Sequence, residues 1–208
     1  MNYEILFGFI LATTALALSP GPDNIYVLMQ SITNGRKYGI ATVCGLISGC
    51  LVHTTLVAFG VSAIIKESDT LFFIIKSLGA IYLLYLAFKV FKSDATVSLS
   101  NDAAPKKSLI QLFKQGVIMN VLNPKVSIFF LAFFPAYLYS DTINTVTQFY
   151  VLGLLFMATS FIVFALIAIL AGFISDYLKQ SKNIGLVLKW LQIVVFIGIA
   201  IFIFLSEN

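Results

Sequence analysis

Charge, histidine and cysteine are scarce in this chain, and their scarcity excludes several classes of protein. Only 11% of the 208 residues are charged and 60% are hydrophobic, whereas about a quarter of a typical globular chain is charged. One histidine and two cysteines are too few for a tetrahedral zinc site, so no metal is predicted. Cys44 and Cys50 project about 120° apart around a helix, which argues against a disulfide between them.

The chain also lacks a polar segment long enough to form a soluble catalytic or nucleotide-binding domain. No G-x-x-x-x-G-K-[ST] phosphate loop is present, so neither a cofactor nor ATP hydrolysis is predicted. The formal net charge of +4 comes without a basic groove interleaved with aromatic residues, which argues against nucleic-acid binding. The sequence has no cluster of histidines and acids inside its apolar segments, so an enzyme is not predicted.

Long apolar runs are what the sequence has in abundance. A membrane-spanning helix needs about 20 apolar residues. Six runs qualify, at about 5–32, 40–65, 71–91, 109–138, 149–174 and 184–205. They are too long for the strands of a membrane β-barrel and lack the required alternation. The sequence therefore predicts an all-α membrane protein with six transmembrane helices in a single membrane domain, 1–208.

The basic residues predict how this domain is oriented. Ten of the 13 Lys and Arg residues lie in or beside the loops after spans one, three and five, while Lys66 and Lys76 lie near the loop after span two. Because basic loops stay on the cytoplasmic side, both termini are predicted to be outside. The polar stretch 93–108 is predicted to be a mobile cytoplasmic linker between a first repeat, about 1–92, and a second repeat, about 109–208.

Spans one and four are both interrupted by proline. Pro20 and Pro124 are 104 residues apart, which is half of the 208-residue chain. An odd number of spans in each half turns the second half upside down, so the pattern predicts two inverted three-helix repeats with broken helices one and four. The alternative is two unrelated kinks, since proline is common in membrane helices.

A helix break in lipid leaves unpaired backbone groups, so it is tolerated only against protein or a wet cavity. The N–H end of a helix that restarts near Pro22 suits a carboxylate, and the carbonyl end before the break suits an ammonium group. Asp23 and Lys125 are the acid and the base deep in the predicted spans, and we expect both to line one central cavity. The alternative is that Asp23 only favours a helix N-terminus and that Lys125 extends to the membrane surface.

The single histidine, His53, shares a helix stripe with Gly45 and Gly49, whose small size allows close helix packing. His53 either carries a proton in an exchange cycle or is a neutral side chain bonded to a carbonyl. The asparagines of the second break either bind substrate or satisfy the broken backbone. The predicted binding residues lie at the two breaks and on span two, and none is catalytic: Pro20, Gly21, Pro22, Asp23, Asn24, His53, Asn120, Asn123, Pro124 and Lys125.

Four segments, in chain order, resemble the motifs of one known family. They are the Ser-Pro-Gly-Pro sequence at 19–22, the segment 45–53 in span two, the segment 78–86 in span three, and the Asn-Pro-Lys sequence at 123–125 with the phenylalanines that follow. In these motifs the chain is similar to the LysE/RhtB-type amino-acid exporters over its whole length, although the last third has no recognisable motif. The resemblance implies six spans in two repeats and proton-driven efflux of amino acids from a bacterial cytoplasm.

The predicted function is secondary active export of amino acids, or close derivatives, through the bacterial inner membrane, with protons as the coupling ion. A neutral amino acid is favoured, because Asp23 is the only acid deep in the spans. The alternative is a membrane channel or an assembly subunit without coupled transport. The sequence leaves the oligomeric state open, with a homodimer as one option.

Overall fold

The computed structural model describes residues 3–93, 107–180 and 184–205, and its regular structure in these ranges is helical. The first half begins with a broken span and continues with two long helical spans. Its elements are α1 (Tyr3–Leu18), α2 (Pro22–Asn34), α3 (Arg36–Leu56), a π-helical turn (Val57–Val61), α4 (Ser62–Glu67) and α5 (Asp69–Lys92).

The second half repeats this order and adds a short helix. Its elements are α6 (Leu109–Val121), α7 (Pro124–Ile128), a π-helical turn (Phe129–Phe133), a 3-10 turn (Phe134–Tyr137), α8 (Thr145–Ile169), α9 (Ala171–Gln180) and α10 (Ile184–Leu205). Within the described residues, four helices are long and apolar enough to cross a membrane, and up to six spans result if each bent helix pair is one span. These features confirm the predicted all-α membrane class. Most of the predicted linker, 94–106, lies outside the described residues.

Both predicted helix breaks are present. The chain bends by 61° between α1 and α2, and by 51° between α6 and the helical segment that starts at Pro124. Pro22 and Pro124 are the first residues of α2 and α7, where a missing N–H breaks no intrahelical bond. Pro22 is therefore the counterpart of Pro124, and the pairing of Pro20 with Pro124 from their half-chain spacing was wrong.

The fifth span differs from its predicted range, 149–174. Helix α8 begins at Thr145 and ends at Ile169, and α9 follows as a separate helix. The side chain of Asn144 accepts a hydrogen bond from the backbone of Val146 and so caps the start of α8. Apolar residues continue past Ile169, which is why hydropathy alone placed the end of this span too late.

Helix α3 lies at the centre of the bundle, where it packs against α2, α6 and α8, while α5 packs against α10. The second span thus contacts the first part of broken span four, and the fifth span, α8, contacts α1, the first part of broken span one. Gly39 lies against Ala168 and Gly153 lies against Thr54, so α3 and α8 run antiparallel. This exchange of equivalent contacts between antiparallel helices is the arrangement expected of inverted repeats.

The contact between α3 and α6 depends on glycine. A Cβ atom at Gly45 would collide with the backbone of Phe113, and one at Gly116 would collide with the backbone of Thr42. A Cβ atom at Gly49 would lie 2.8 Å from the side chain of Asn120. The predicted small-residue stripe therefore lets α3 approach the second break closely.

Polarity is distributed as a lipid environment requires. Large apolar side chains such as Phe7, Leu78 and Phe173 are exposed on the outside of the bundle. Polar side chains lie inside it, including Asp23, Gln30, Thr42, His53, Asn120 and Gln148. Lipid tails solvate the apolar exterior without cost, while the interior gives polar groups partners that lipid cannot supply.

Candidate functional site

The two helix breaks border one cavity of about 40 Å³, which has room for roughly three water molecules. Six of the ten predicted binding residues line it: Gly21, Asp23, Asn24, Asn120, Asn123 and Lys125. The other lining residues are mostly apolar and belong to α1, α3, α7 and α8: Leu16, Ala17, Leu46, Ile47, Cys50, Val126, Phe156, Ser160 and Phe164. The fold thus brings residues that are a hundred positions apart to one buried place.

Side chains satisfy the carbonyl end of α1 at the first break. The last carbonyls of a helix have no intrahelical donor. Here Lys125 Nζ donates to the carbonyl of Ser19 at 3.1 Å and to that of Leu16 at 3.4 Å. Asn24 Nδ2 donates to the carbonyl of Ala17 at 2.7 Å. The carbonyl end that the sequence suggested for a substrate ammonium group is therefore occupied by the ammonium group of Lys125.

The Lys125 ammonium group also lies 5.4 Å from the ring centroid of Phe196 on α10. At this distance a cation is attracted by the face of an aromatic ring. Two carbonyls and one ring thus surround the charge with electron-rich groups. Such surroundings reduce the cost of keeping a cation inside a membrane protein.

Asp23 is the second residue of α2 and is buried. Its Oδ2 accepts a hydrogen bond from Asn123 Nδ2 at 2.9 Å, and the N-terminus of α2 favours its negative charge. Asn123 Oδ1 accepts from the backbone N–H of Lys125 at 3.0 Å and so caps α7. One carboxamide therefore binds the acid of the first break and caps the helix of the second.

His53 is buried behind the cavity and is not part of its lining. Its Nε2 donates to the backbone carbonyl of Asn120 at 3.2 Å. A carbonyl only accepts, so Nε2 carries a hydrogen in this arrangement. The same carbonyl accepts from the backbone N–H of Asn123 at 3.0 Å. His53 thus supports the carbonyl end of α6, which is the carbonyl-bonded role left open by the sequence.

The three prolines of the predicted site do not line the cavity. Pro20 is half-buried between α1 and α2, and Pro22 and Pro124 are exposed. Pro22 and Pro124 are the first residues of α2 and α7, so these two prolines set where each half-helix begins. They shape the site without touching its interior.

Ser160 was not among the predicted binding residues, and the sequence left open whether Asn120 binds substrate or satisfies the broken backbone. Both line the cavity, and neither Ser160 Oγ nor Asn120 Oδ1 has a hydrogen-bond partner. Serine is common in membrane helices, so residue type and position alone did not mark Ser160. Its place in the site becomes visible only when α8 is packed against α3.

Lys76 is a second basic residue buried within the spans, so Lys125 is not the only one as the sequence suggested. Its side chain is 7% exposed and its ammonium group lies 5.5 Å from the ring centroid of Phe72. Lys76 lines a separate cavity of about 440 Å³ together with Asp141 and Gln148. Lys76 lies one or two turns inside the apolar run 71–91. This position could have indicated a buried lysine, but Lys76 was counted with the loop after span two.

Comparison with known proteins agrees with this architecture. Residues 14–207 match the family model described as LysE type translocator. A leucine efflux protein of Salmonella choleraesuis is 28% identical over 203 residues, which cover 96% of this chain and 93% of the relative. A homoserine/homoserine lactone efflux protein of Salmonella typhimurium is 30% identical over 183 residues, 88% of each chain.

No solved structure matches the chain. The family match extends from the last five residues of α1 through the end of α10 and so includes both helix breaks and the residues that line the cavity between them. The chain therefore belongs to the LysE type translocator family and is a multi-pass membrane protein for amino-acid efflux, not an enzyme.

Proposed function

We propose that this protein is a secondary active exporter that moves a neutral amino acid out of the bacterial cytoplasm in exchange for protons. The observation that carries the proposal is the buried cavity at which two broken helices place one acid, one base and three carboxamides: Asp23, Lys125, Asn24, Asn120 and Asn123. An α-amino acid presents an ammonium and a carboxylate group close together. It therefore complements an acid and a base that border the same cavity.

In the proposed complex the substrate ammonium group binds the Asp23 carboxylate and the substrate carboxylate binds the Lys125 ammonium group. Asn123 already touches Asp23 and the start of α7, so it can adjust both charged residues together. A cavity of about 40 Å³ is too small for an amino acid, since typical ligand pockets measure roughly 300 Å³ or more. The cavity must therefore widen to hold an amino acid, and we propose that the helices separate at the breaks during transport.

The lining of the cavity supports a neutral substrate. Asp23 is the single acid among the residues that line it. A basic amino acid would bring a second cation, which would have no carboxylate partner in a site where unpaired charge is costly. The efflux proteins for leucine and for homoserine and its lactone, to which the chain is similar, also have names that indicate substrates without a charged side chain.

Protons are the proposed coupling ion, and the basic loops after spans one, three and five are proposed to face the cytoplasm, which places both termini outside. The sequence contains no phosphate loop for ATP. His53 lies next to the second break and bonds to its backbone. It is therefore placed to link a change of its charge to the geometry of that break.

Purified protein in lipid vesicles would test the function with a panel of radiolabelled amino acids, with and without an imposed proton gradient. We expect neutral amino acids to accumulate only with the gradient, and lysine and arginine to be transported at least about tenfold more slowly. Asp23→Asn, which keeps the shape of the side chain but removes its charge, is the inactive control. Flux that ignores the gradient would favour a channel, and no flux of any amino acid would favour an assembly subunit.

His53→Gln tests the proton path in the same vesicles. We expect transport to continue but to lose the part of its pH dependence that comes from protonation of histidine, because glutamine does not change charge. Glutamine retains an N–H donor for the Asn120 carbonyl, so the break should keep its support. An unchanged pH profile would remove His53 from the proton path and leave it a structural residue.

A further inference from the structure

The second cavity, of about 440 Å³, lies at the far end of broken span four. The central cavity is lined by Lys125 and Val126 at the start of α7, whereas the second cavity is lined by Pro135 and Ala136 in the 3-10 turn that ends this span. Pro135 follows Lys125 by ten residues of helical chain, which extend over about 15 Å at the rise of an α-helix. The second cavity is therefore a separate place in the fold, and it falls within the usual volume of small-molecule pockets, roughly 300 to 1,000 Å³.

Closely packed phenylalanine rings lie between the two cavities. Phe156 lines the central cavity, and its ring centroid is 4.9 Å from that of Phe130 and 5.9 Å from that of Phe134. Phe130 and Phe134 stack at 4.1 Å and are fully buried. Phe134 is followed directly by Pro135, which belongs to the wall of the second cavity. A packed aromatic layer thus divides the two cavities along span four.

A buried lysine forms part of the wall of the second cavity. Lys76 is 7% exposed, and its ammonium group lies 5.5 Å from the ring centroid of Phe72, which also lines this cavity. Lys92, on the same helix α5, makes the same contact with Phe88, also four residues earlier, at 4.6 Å, but Lys92 is exposed. A charge inside a span is costly and usually marks a functional site. The burial of Lys76 beside a cavity therefore indicates a binding role for its charge.

The negative charge in this wall belongs to Asp141, in the loop between the 3-10 turn and α8. Asp141 is exposed, so a buried cation and an accessible carboxylate border the same cavity. The side chain of Gln148 holds the loop through four hydrogen bonds to its backbone, at 2.7 to 3.0 Å. The wall that carries Asp141 is therefore formed before any ligand binds.

We propose that the second cavity is a separate amino-acid-binding site, in which Lys76 binds the α-carboxylate group and Asp141 binds the α-ammonium group. An ammonium group has three N–H donors and a carboxylate has two acceptor oxygens, so each can bind a ligand in addition to its protein contacts. The apolar part of the wall, which includes Ile65, Phe72 and Leu138, suits an aliphatic side chain. The inference rests on the proposed function for its class of ligand. Under the proposed orientation, this end of the bundle is the outer one, where an exported amino acid leaves the protein.

Protection of an introduced cysteine from alkylation tests the inference in purified protein. Ala136 is a half-buried residue of the cavity wall, and Ala136→Cys would be labelled with a maleimide in a protein whose Cys44 and Cys50 are replaced by alanine. We expect leucine, at about ten times its dissociation constant, to slow this labelling by about tenfold, because it occupies the cavity. Leucine amide, which lacks the carboxylate group, should give no protection. Thr147→Cys, an exposed position outside the cavity wall, should be labelled equally with and without leucine.

Variants of the charged residues then locate the bound leucine. Lys76→Met should abolish protection, and Asp141→Asn, at an exposed loop position where folding is not at stake, should weaken it. Lys92→Met is the matched control, because Lys92 makes the same ring contact on the same helix outside this cavity, and protection should be unchanged. Lys125→Met removes the cation of the central cavity, and protection of Ala136→Cys should persist.

Loss of protection in Lys125→Met would mean that leucine acts from the central cavity, and would overturn the second site while leaving the proposed function intact. Protection that survives Lys76→Met, or no protection by leucine, would also overturn it. Protection by glycerophosphoethanolamine but not by leucine would assign the cavity to a lipid head group and overturn the inference as well. Protection by leucine without transport of any amino acid in vesicles would instead contradict the proposed function and retain the second site.

Discussion

The two helix breaks have the same design but are stabilised in different ways. At the second break, most of the partners come from residues of the break itself. Asn123 caps α7 with its side chain, and its backbone N–H donates to the Asn120 carbonyl. His53 on α3 adds one bond to the same carbonyl. At the first break, Gly21 precedes α2 and provides no side-chain cap. The carbonyl end of α1 depends on Asn24 and on Lys125, a residue of the other half of the chain.

This difference shows how one half of the protein can respond to the other. When the halves separate, the second break loses only the bond from His53, because the bonds made by Asn123 are local. The first break loses its two bonds from Lys125 if α7 moves away from α1, and Asp23 loses its bond from Asn123. In the proposed mechanism, a substrate that supplies both charges replaces these contacts, which would link binding to opening at the first break.

The largest expected effect in this comparison comes from Lys125→Met. It removes the donor of the Ser19 and Leu16 carbonyls and leaves the Asp23 charge without a nearby cation, while preserving most of the side-chain length. We expect the transport rate to fall by roughly 100-fold or more, since hydrogen bonds to charged groups contribute about 1.5–3 kcal/mol each. Initial rates of amino-acid transport in vesicles would measure the loss.

Lys189→Met is a matched control for that variant. Lys189 also donates to a backbone carbonyl, that of Ser93 at 2.7 Å, and lies 5.7 Å from the ring centroid of Phe91. It does so outside the central cavity, so its loss should change transport less than about twofold. Near-normal transport by Lys125→Met would show that the first break does not depend on the other half of the chain.

A smaller effect is expected when the two asparagines of the breaks are compared by Asn123→Ala and Asn24→Ala. Asn123→Ala removes both a helix cap, usually about 0.5–2 kcal/mol, and a hydrogen bond to a carboxylate. Asn24→Ala removes one bond to the Ala17 carbonyl, a net contribution of about 0.5–1.5 kcal/mol. Thermal denaturation in detergent should therefore show the larger destabilisation for Asn123→Ala.

Transport by the same two variants sharpens the comparison. We expect Asn123→Ala to lower the rate by about tenfold and Asn24→Ala by only a few-fold, because Asn123 alone joins the acid of one break to the helix of the other. An Asn24→Ala variant that is as impaired as Asn123→Ala, or more so, would contradict the linking role assigned to Asn123.

Much of the fold was predictable from local features. Apolar runs predicted the spans, and the prolines predicted where spans one and four break, since both signals act over a few neighbouring residues. The pairing of Pro20 with Pro124 was wrong because equal spacing along the chain does not reveal which proline starts a helix. The end of α8 was placed too late because the residues after Ile169 remain apolar.

The sequence by itself determined the membrane class, the two breaks and the presence of an acid and a base beside them, because hydropathy and proline geometry are local properties. Only the tertiary structure decided that Lys125 binds the carbonyl end of α1, that Asn123 binds Asp23, and that Ser160 borders the same cavity. These contacts join residues of different helices across distances of about a hundred positions in the chain. They depend on how the helices pack, and the glycines of α3 and α6 permit that packing.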